Sequence, residues 1–332
     1  MKTLTRLSLT ASTCALALCA SSLDASATPT WKTIPGSPKG HAAVAVGTNL
    51  SAIVYFLNST WLPIGGWQLQ GYDFERPSQG VFNIDQATTS GPYHFQGTSL
   101  AIDQGTHLWL ILANNTVQSV DLNFSAPGTA CEGGTTYFRQ EGGHNNLAVQ
   151  NTSQGPFPPS RGIFVIDGNG RVRTWVEDES PRACWALEPT LPSGAVVNDI
   201  SVKPNGGNLW AADANGAVFV LTPGGSVVSN GQISISGASW QSLDGSNGRV
   251  KFLGGKYATN TALANRQDVA VGFDNMSVYN WDDVTGWHFD PDWNHWQFLL
   301  FGTSLLITTP SPHFIDEVAV GLENTIWAKV NQ

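Results

Sequence analysis

The chain has 332 residues, only 12% of them charged, and 16 Lys+Arg against 25 Asp+Glu leave a net charge of −9. That acidic balance disfavours electrostatic capture of nucleic acid or of an anionic lipid surface. Sparse charge combined with 35 glycines and many Ser, Thr, Asn and Trp residues describes a β-rich chain and not a disordered one.

Residues 1–27 read as a secretory signal peptide. Lys2 and Arg6 form the charged start, an apolar run follows from Leu7 to Leu23, and Asp24-Ala25-Ser26-Ala27 ends in the small–x–small pattern of a cleavage site. Asp24 and the polar interruptions argue against a membrane span. Leu18 is too large for the position before a lipid-anchored Cys19. No later stretch has the ~20 uninterrupted apolar residues of a spanning helix. The expected product is therefore 28–332, not an integral membrane protein, in the extracellular or periplasmic space. Cys14 and Cys19 leave with the signal, so Cys131 and Cys184 remain. An oxidising compartment predicts one disulfide between them, with two unpaired buried thiols as the alternative.

From residue 44 onward the chain repeats. An apolar–small–apolar triplet occurs as Val44-Ala45-Val46, Leu100-Ala101-Ile102, Leu147-Ala148-Val149, Ile200-Ser201-Val202, Val269-Ala270-Val271 and Val318-Ala319-Val320. After each comes a turn-rich stretch and then a strand carrying an aromatic: Tyr55, Trp109, Phe164, Trp210, Tyr279 and Trp327. Asn114-Asn115, Asp167-Gly168-Asn169-Gly170 and Asp213-Ala214-Asn215-Gly216 supply the positive-φ residues of tight hairpins. Apolar periodicity is that of short strands throughout.

Repeats of roughly 40–50 residues with about four strands each are the pattern of propeller blades. The predicted fold is all-β: one β-propeller with six blades, or seven if the long 210–279 interval hides an irregular one. Within it the six aromatics are structural, filling gaps between blades. The last repeat stops short at Gln332, and Trp31-Lys32-Thr33 precedes the first triplet. An N-terminal strand completing the last blade would close the ring and remove a sheet edge.

The pattern of Trp31, Ile34-Pro35-Gly36 and Val44-Ala45-Val46-Gly47, with residues 199–219 and Val318-Ala319-Val320-Gly321 later, resembles tectonin-type β-propeller repeats. The likeness covers most of 31–332 unevenly: the second, third and fifth repeats keep the strand and aromatic but lose the glycine or the leading Trp. The resemblance implies a propeller that binds carbohydrate in secreted or cell-surface recognition. Because the repeat is structural, it carries fold more firmly than function.

Enzyme motifs are thin. There is no Gly-x-Ser-x-Gly elbow and no His-Glu-x-x-His zinc motif, and the glycines of 248–256 lack phosphate-loop spacing. His41, His94, His107, His144 and His313 are scattered singly. No cofactor is implied. One segment stands out: residues 281–296 hold four tryptophans, four aspartates and two histidines. Flat aromatic faces suit the C–H side of a pyranose, and carboxylates or amides suit its hydroxyls. Trp287, Asp290, Asp292, Trp293, His295 and Trp296 are the candidate carbohydrate subsite, in a segment that Pro291 makes more loop than strand. A structural connection is the plainer alternative, and a metal site from His288, Asp290, Asp292 and His295 matches no standard ligand spacing. Trp61 and Trp67, flanking a Pro-Gly stretch, form a second candidate. Asn-x-Ser/Thr triplets at Asn49, Asn58, Asn114, Asn123, Asn151 and Asn275 are near the number composition alone would give.

These features lead to the expectation of a non-catalytic, lectin-like propeller whose partners are glycans on cell or microbial surfaces. Two other classes remain: a lyase-like enzyme with acid–base residues at the channel mouth, and a protein-interaction platform with a broad apolar patch.

Overall fold

The computed structural model describes residues 31–33, 44–46, 53–59, 67–73, 76–83, 94–95, 97–102, 107–112, 114–119, 124–140, 145–150, 162–177, 183–192, 194–202, 208–243, 254–255, 269–270, 279–282, 286–289, 297–301, 315–320 and 325–330. Side chains are described for most of these between 70 and 243. Among the described residues, every element but one short 3-10 turn at Pro77–Gln79 is a strand.

The strands form small, mostly antiparallel sheets. Sheet one comprises Val44–Val46, Ile53–Ser59, Trp67–Asp73 and Val81–Asn83, with His94–Phe95 also pairing to Trp67–Asp73. Sheet two is Gly97–Ile102, Leu108–Leu112, Thr116–Ser119 and Ser125–Pro127. Sheet three is Leu147–Val149, Ile163–Ile166, Val172–Glu177 and Ala183–Leu187. Sheet four is Val197–Val202, Leu209–Asp213, Val218–Thr222 and Ser239–Ser242. Sheet five is Gly254–Gly255, Val269–Ala270, Tyr279–Asp282 and Gly286–Phe289. In sheet six, Ile315–Val320 pairs with Thr325–Val330, followed by Gln297–Phe301 and, outermost, Trp31–Thr33. The last two join in parallel, so the N-terminal strand shares a sheet with the C-terminal pair but has Gln297–Phe301 between.

The leading strands touch in order. Val44–Val46 lies against Gly97–Ile102, which lies against Leu147–Val149; then follow Val197–Val202, Gly254–Gly255 and Ile315–Val320, and the last lies back against Val44–Val46.

Why the triplets read apolar–small–apolar is visible in the register. Ala45 stands opposite Tyr55, Ala101 opposite Trp109, Ala148 opposite Phe164, Ser201 opposite Trp210 and Ala319 opposite Trp327. Directly opposed residues share one face of a sheet, so a small residue there leaves room for the ring beside it. The fifth repeat departs from this. Its triplet lies on the second strand of sheet five, behind Gly254–Gly255, and Ala270 faces Asn280 instead of Tyr279. Part of the long 210–279 interval is a two-stranded ribbon, Gly225–Ser229 with Gln232–Ser236, inserted before the last strand of sheet four.

Sheet three is buried on both faces, as strand alternation requires of a sheet between two others. Leu147, Val149, Ile163 and Val165 pack with Ala101, Trp109, Ile111 and Val117 of sheet two. Their neighbours Ala148, Phe164 and Ile166 pack with Val202, Leu209, Ala211 and Phe219 of sheet four. Trp109, Phe164 and Trp210 are all buried. Trp210 packs with Ala212, Val218 and Val220 on the face of sheet four turned away from sheet three.

Cys131 and Cys184 form the one disulfide among the described residues, with 5.0 Å between their Cα atoms. The bond lies under the ribbon, where Ile233 and Ile235 pack on it together with Val176 and Ala186. No described helix is long and apolar enough to cross a membrane. Residues 1–30, and with them the signal-peptide reading, lie outside the described residues.

Candidate functional site

The turns after the aromatic strands are built by their aspartates. The Asp167 carboxylate accepts hydrogen bonds from the Asn169 and Arg171 N–H groups at 2.9 and 3.1 Å. In the next sheet, Asp213 accepts from Asn215 and Ala217, both at 2.9 Å. Gly170 and Gly216 close the two turns at φ 70° and 82°, which a side chain tolerates poorly.

Behind the first turn sits a charge cluster. Arg173 Nε donates to Asp167 Oδ2 at 2.9 Å, and its other nitrogens reach Glu132 at 2.7 and 3.2 Å and the Trp185 carbonyl at 3.2 Å. Burial works against the Arg173 charge, but the hydrogen bonds it donates to Glu132 and Asp167 outweigh it and raise its pKa. The Arg173 hydrogen bond holds Glu132 below its ordinary value, against the opposing effect of partial burial.

The outer side of this turn carries an exposed patch. Residues 135–138 run along it: Phe138 bridges to Asp167, and the Gly168 N–H donates to the Tyr137 carbonyl at 2.7 Å. Phe138 turns inward onto Trp185, ring centroids 5.1 Å apart, so the residue before it on the extended chain faces out. Tyr137 is 70% exposed. On the other flank the Val197 N–H donates to the Gly170 carbonyl, and Val196 is 52% exposed. Gly168 and Asn169 are exposed between them. An aromatic, a valine, an amide and turn backbone are thus exposed around one hydrogen-bonded turn.

Close by, polar residues tie the leading strands together. Asn146 donates to Ser99 Oγ at 3.2 Å, and the Asn145 N–H donates to Asp199 Oδ1 at 2.9 Å. The Arg139 guanidinium bonds Asn146 and the carbonyls of Val197 and Asn198. Ser99, Asn146 and Asp199 are buried, each directly before its triplet. Register shifts precede Ser99, Asp199 and Glu317, marking β-bulges at one repeated position. A bulge re-aims the residue beside it, which lets a polar group turn toward the neighbouring strand.

The positions singled out in the sequence are placed as follows. Trp287 lies on the strand Gly286–Phe289, opposite Trp281, and not on a loop. Trp67 likewise begins a strand and pairs with Ser59 and Phe95. Trp61, Asp290, Asp292, Trp293, His295 and Trp296 lie outside the described residues. Tyr55, Tyr279 and Trp327 lie on strands. Among the described residues no three His, Cys, Asp or Glu side chains come together as metal ligands. Tyr137 was missed, because a lone aromatic in Thr136-Tyr137-Phe138 carries no sign of which ring is buried. The polar column before the triplets could have been found by aligning the repeats one residue further upstream.

No known family pattern matches the chain, and no curated protein sequence matches it. Among solved structures, one described provisionally as an oxidoreductase (glucose dehydrogenase) from Thermus thermophilus shares 12% identity, over 76% of this chain and 79% of its own, with TM-score 0.36. One described provisionally as a 6-phosphogluconolactonase from Bacteroides uniformis shares 11% identity, over 74% and 68%, with TM-score 0.39. The β-propeller domain of Myceliophthora thermophila Swd1 shares 9% identity, over 86% and 91%, with TM-score 0.41. Likenesses this distant carry no argument about the activity of this chain.

Proposed function

We propose that residues 28–332 form one closed six-bladed β-propeller of tectonin type, exported after loss of residues 1–27, that binds surface glycans without catalysis. The cyclic contact of the six leading strands supports the ring, and Trp31–Thr33 in the sheet of the C-terminal strands supports its closure. The Cys131–Cys184 disulfide supports an oxidising destination.

The single observation that carries the glycan reading is the exposed Tyr137, whose carbonyl accepts from the Gly168 N–H of the turn that also exposes Asn169. A tyrosine ring has few side-chain torsions to fix on stacking against a sugar, and amide and backbone groups of the turn suit its hydroxyls. Such a site is weak alone; repeated sites on one ring raise affinity for a glycan-covered surface through effective concentration.

The test is a glycan array probed with the mature protein, including O-methylated, fungal and bacterial sugars. Selective binding that free sugar competes away, lost in Tyr137→Ala at unchanged melting temperature, supports the reading. Undiminished binding in Tyr137→Ala would reject this subsite. Undiminished binding in a Trp287→Ala/Trp293→Ala variant would likewise remove the 281–296 subsite.

A further inference from the structure

We propose that the outer strand of the ribbon, Gly225–Ser229, is a self-association edge at which two copies of this chain pair antiparallel across a two-fold axis.

Gly225–Ser229 pairs with Gln232–Ser236 and with no other strand among the described residues. The hairpin is stiff at both ends. Asn230 and Gly231 take φ 52° and 76°, the backbone of a tight two-residue turn, and the inner strand is anchored by Ile233 and Ile235 on the disulfide. In such a hairpin the residues flanking the turn, Ser229 and Gln232, exchange hydrogen bonds, and so does every second pair beyond. Ser226 and Val228 therefore direct their N–H and C=O groups to the outside. All five residues of the strand are exposed, with Val227 at 45% and Val228 at 56%.

Open edges in proteins that stay apart are blunted by lysines, prolines or bulges. This edge has none of them: the strand reads Gly-Ser-Val-Val-Ser in regular register with its partner. Moreover, no Asp, Glu, Lys or Arg occurs between Asp213 and Asp244. A net charge of −9 disfavours approach of two copies, and the ribbon itself adds no like charge to a contact between them. Centred on Val227, antiparallel pairing sets Val227 against Val227 of the other copy, and Ser226 and Val228 exchange hydrogen bonds across the seam. Each ribbon has one outer edge, so the contact closes on itself as a dimer and does not grow.

The test is sedimentation or light scattering on the mature protein from about 1 to 100 μM, with two variants. Val228→Lys places a charge at the seam. Ser226→Pro removes only an outward N–H. A wild type of twice the monomer mass, with both variants monomeric at unchanged melting temperature, is the expected result. A wild type that stays monomeric throughout the range overturns the proposal, and so does a dimer that survives both variants. If Val228→Lys lowers the melting temperature, Ser226→Pro decides alone.

Discussion

Ala148 stands directly opposite Phe164, and the pair shares the face of sheet three that meets sheet four. Both are buried, Phe164 completely. The same register of a small residue opposite an aromatic recurs in four other sheets, so the spacing of the repeats expresses one pairing rule.

Ala148→Leu is expected to crowd the Phe164 ring and cost about 1–3 kcal/mol, the usual penalty for overpacking. Phe164→Ala should cost about 3–5 kcal/mol. Because the two side chains are neighbours, the double variant should lose clearly less than the sum. Unfolding midpoints of the four proteins measure this, and strict additivity would refute the contact.

Removing the disulfide with Cys131→Ser/Cys184→Ser frees a loop whose ends are 53 residues apart. Loop entropy alone gives about 4 kcal/mol. The melting temperature of wild type with and without a strong reductant should show the same loss, and the double variant should not respond to the reductant.

Arg173→Met should cost about 3 kcal/mol, because it removes the closer ion pair of the buried Asp167 carboxylate and leaves it only the half-exposed Arg171 at 3.4 Å. Glu132→Gln tests the exposed half of the cluster through pH. Glu132 has a depressed pKa in the folded state, so its contribution is present above the ordinary value of 4.5 and disappears as pH falls through the folded value. The stability gap between wild type and Glu132→Gln should be constant near neutrality and close in acid. It should also be small, since Glu132 is half-exposed and screened. A gap that widens in acid would contradict the assignment.

At Gly170 a Cβ would collide with the Val196 side chain, and φ is 70°. Gly170→Ala is expected to cost about 1–3 kcal/mol. Adding Val196→Ala removes the Cγ1 clash but leaves the residue 196 Cβ 2.9 Å away, so it should recover only part of the steric loss and none of the backbone part. Full recovery would mean that the positive φ contributes nothing.

Much of the fold is legible in the residue order, because strand periodicity, turn residues and repeated triplets are local properties. The five triplets that lead their sheets and the buried aromatics of sheets two to four follow from them, while the cysteine pair follows from the compartment that the first residues imply. The fifth repeat went astray for a physical reason. Gly254–Gly255 has no side chains to show a pattern, so the triplet behind it looked like a leading strand. The parallel entry of Gln297–Phe301 into sheet six was equally hidden, since an apolar run carries no record of its partner's direction.

The candidate site was the less legible part. Which of Tyr137 and Phe138 faces water depends on Trp185 and on the turn at Asp167, both distant in sequence. Whether Ser99, Asn146 and Asp199 are surface groups or buried ties depends on bulges and on neighbouring strands. Residue order sets what each strand can bury. Only packing between strands far apart in the chain settles which polar and aromatic groups remain for a partner.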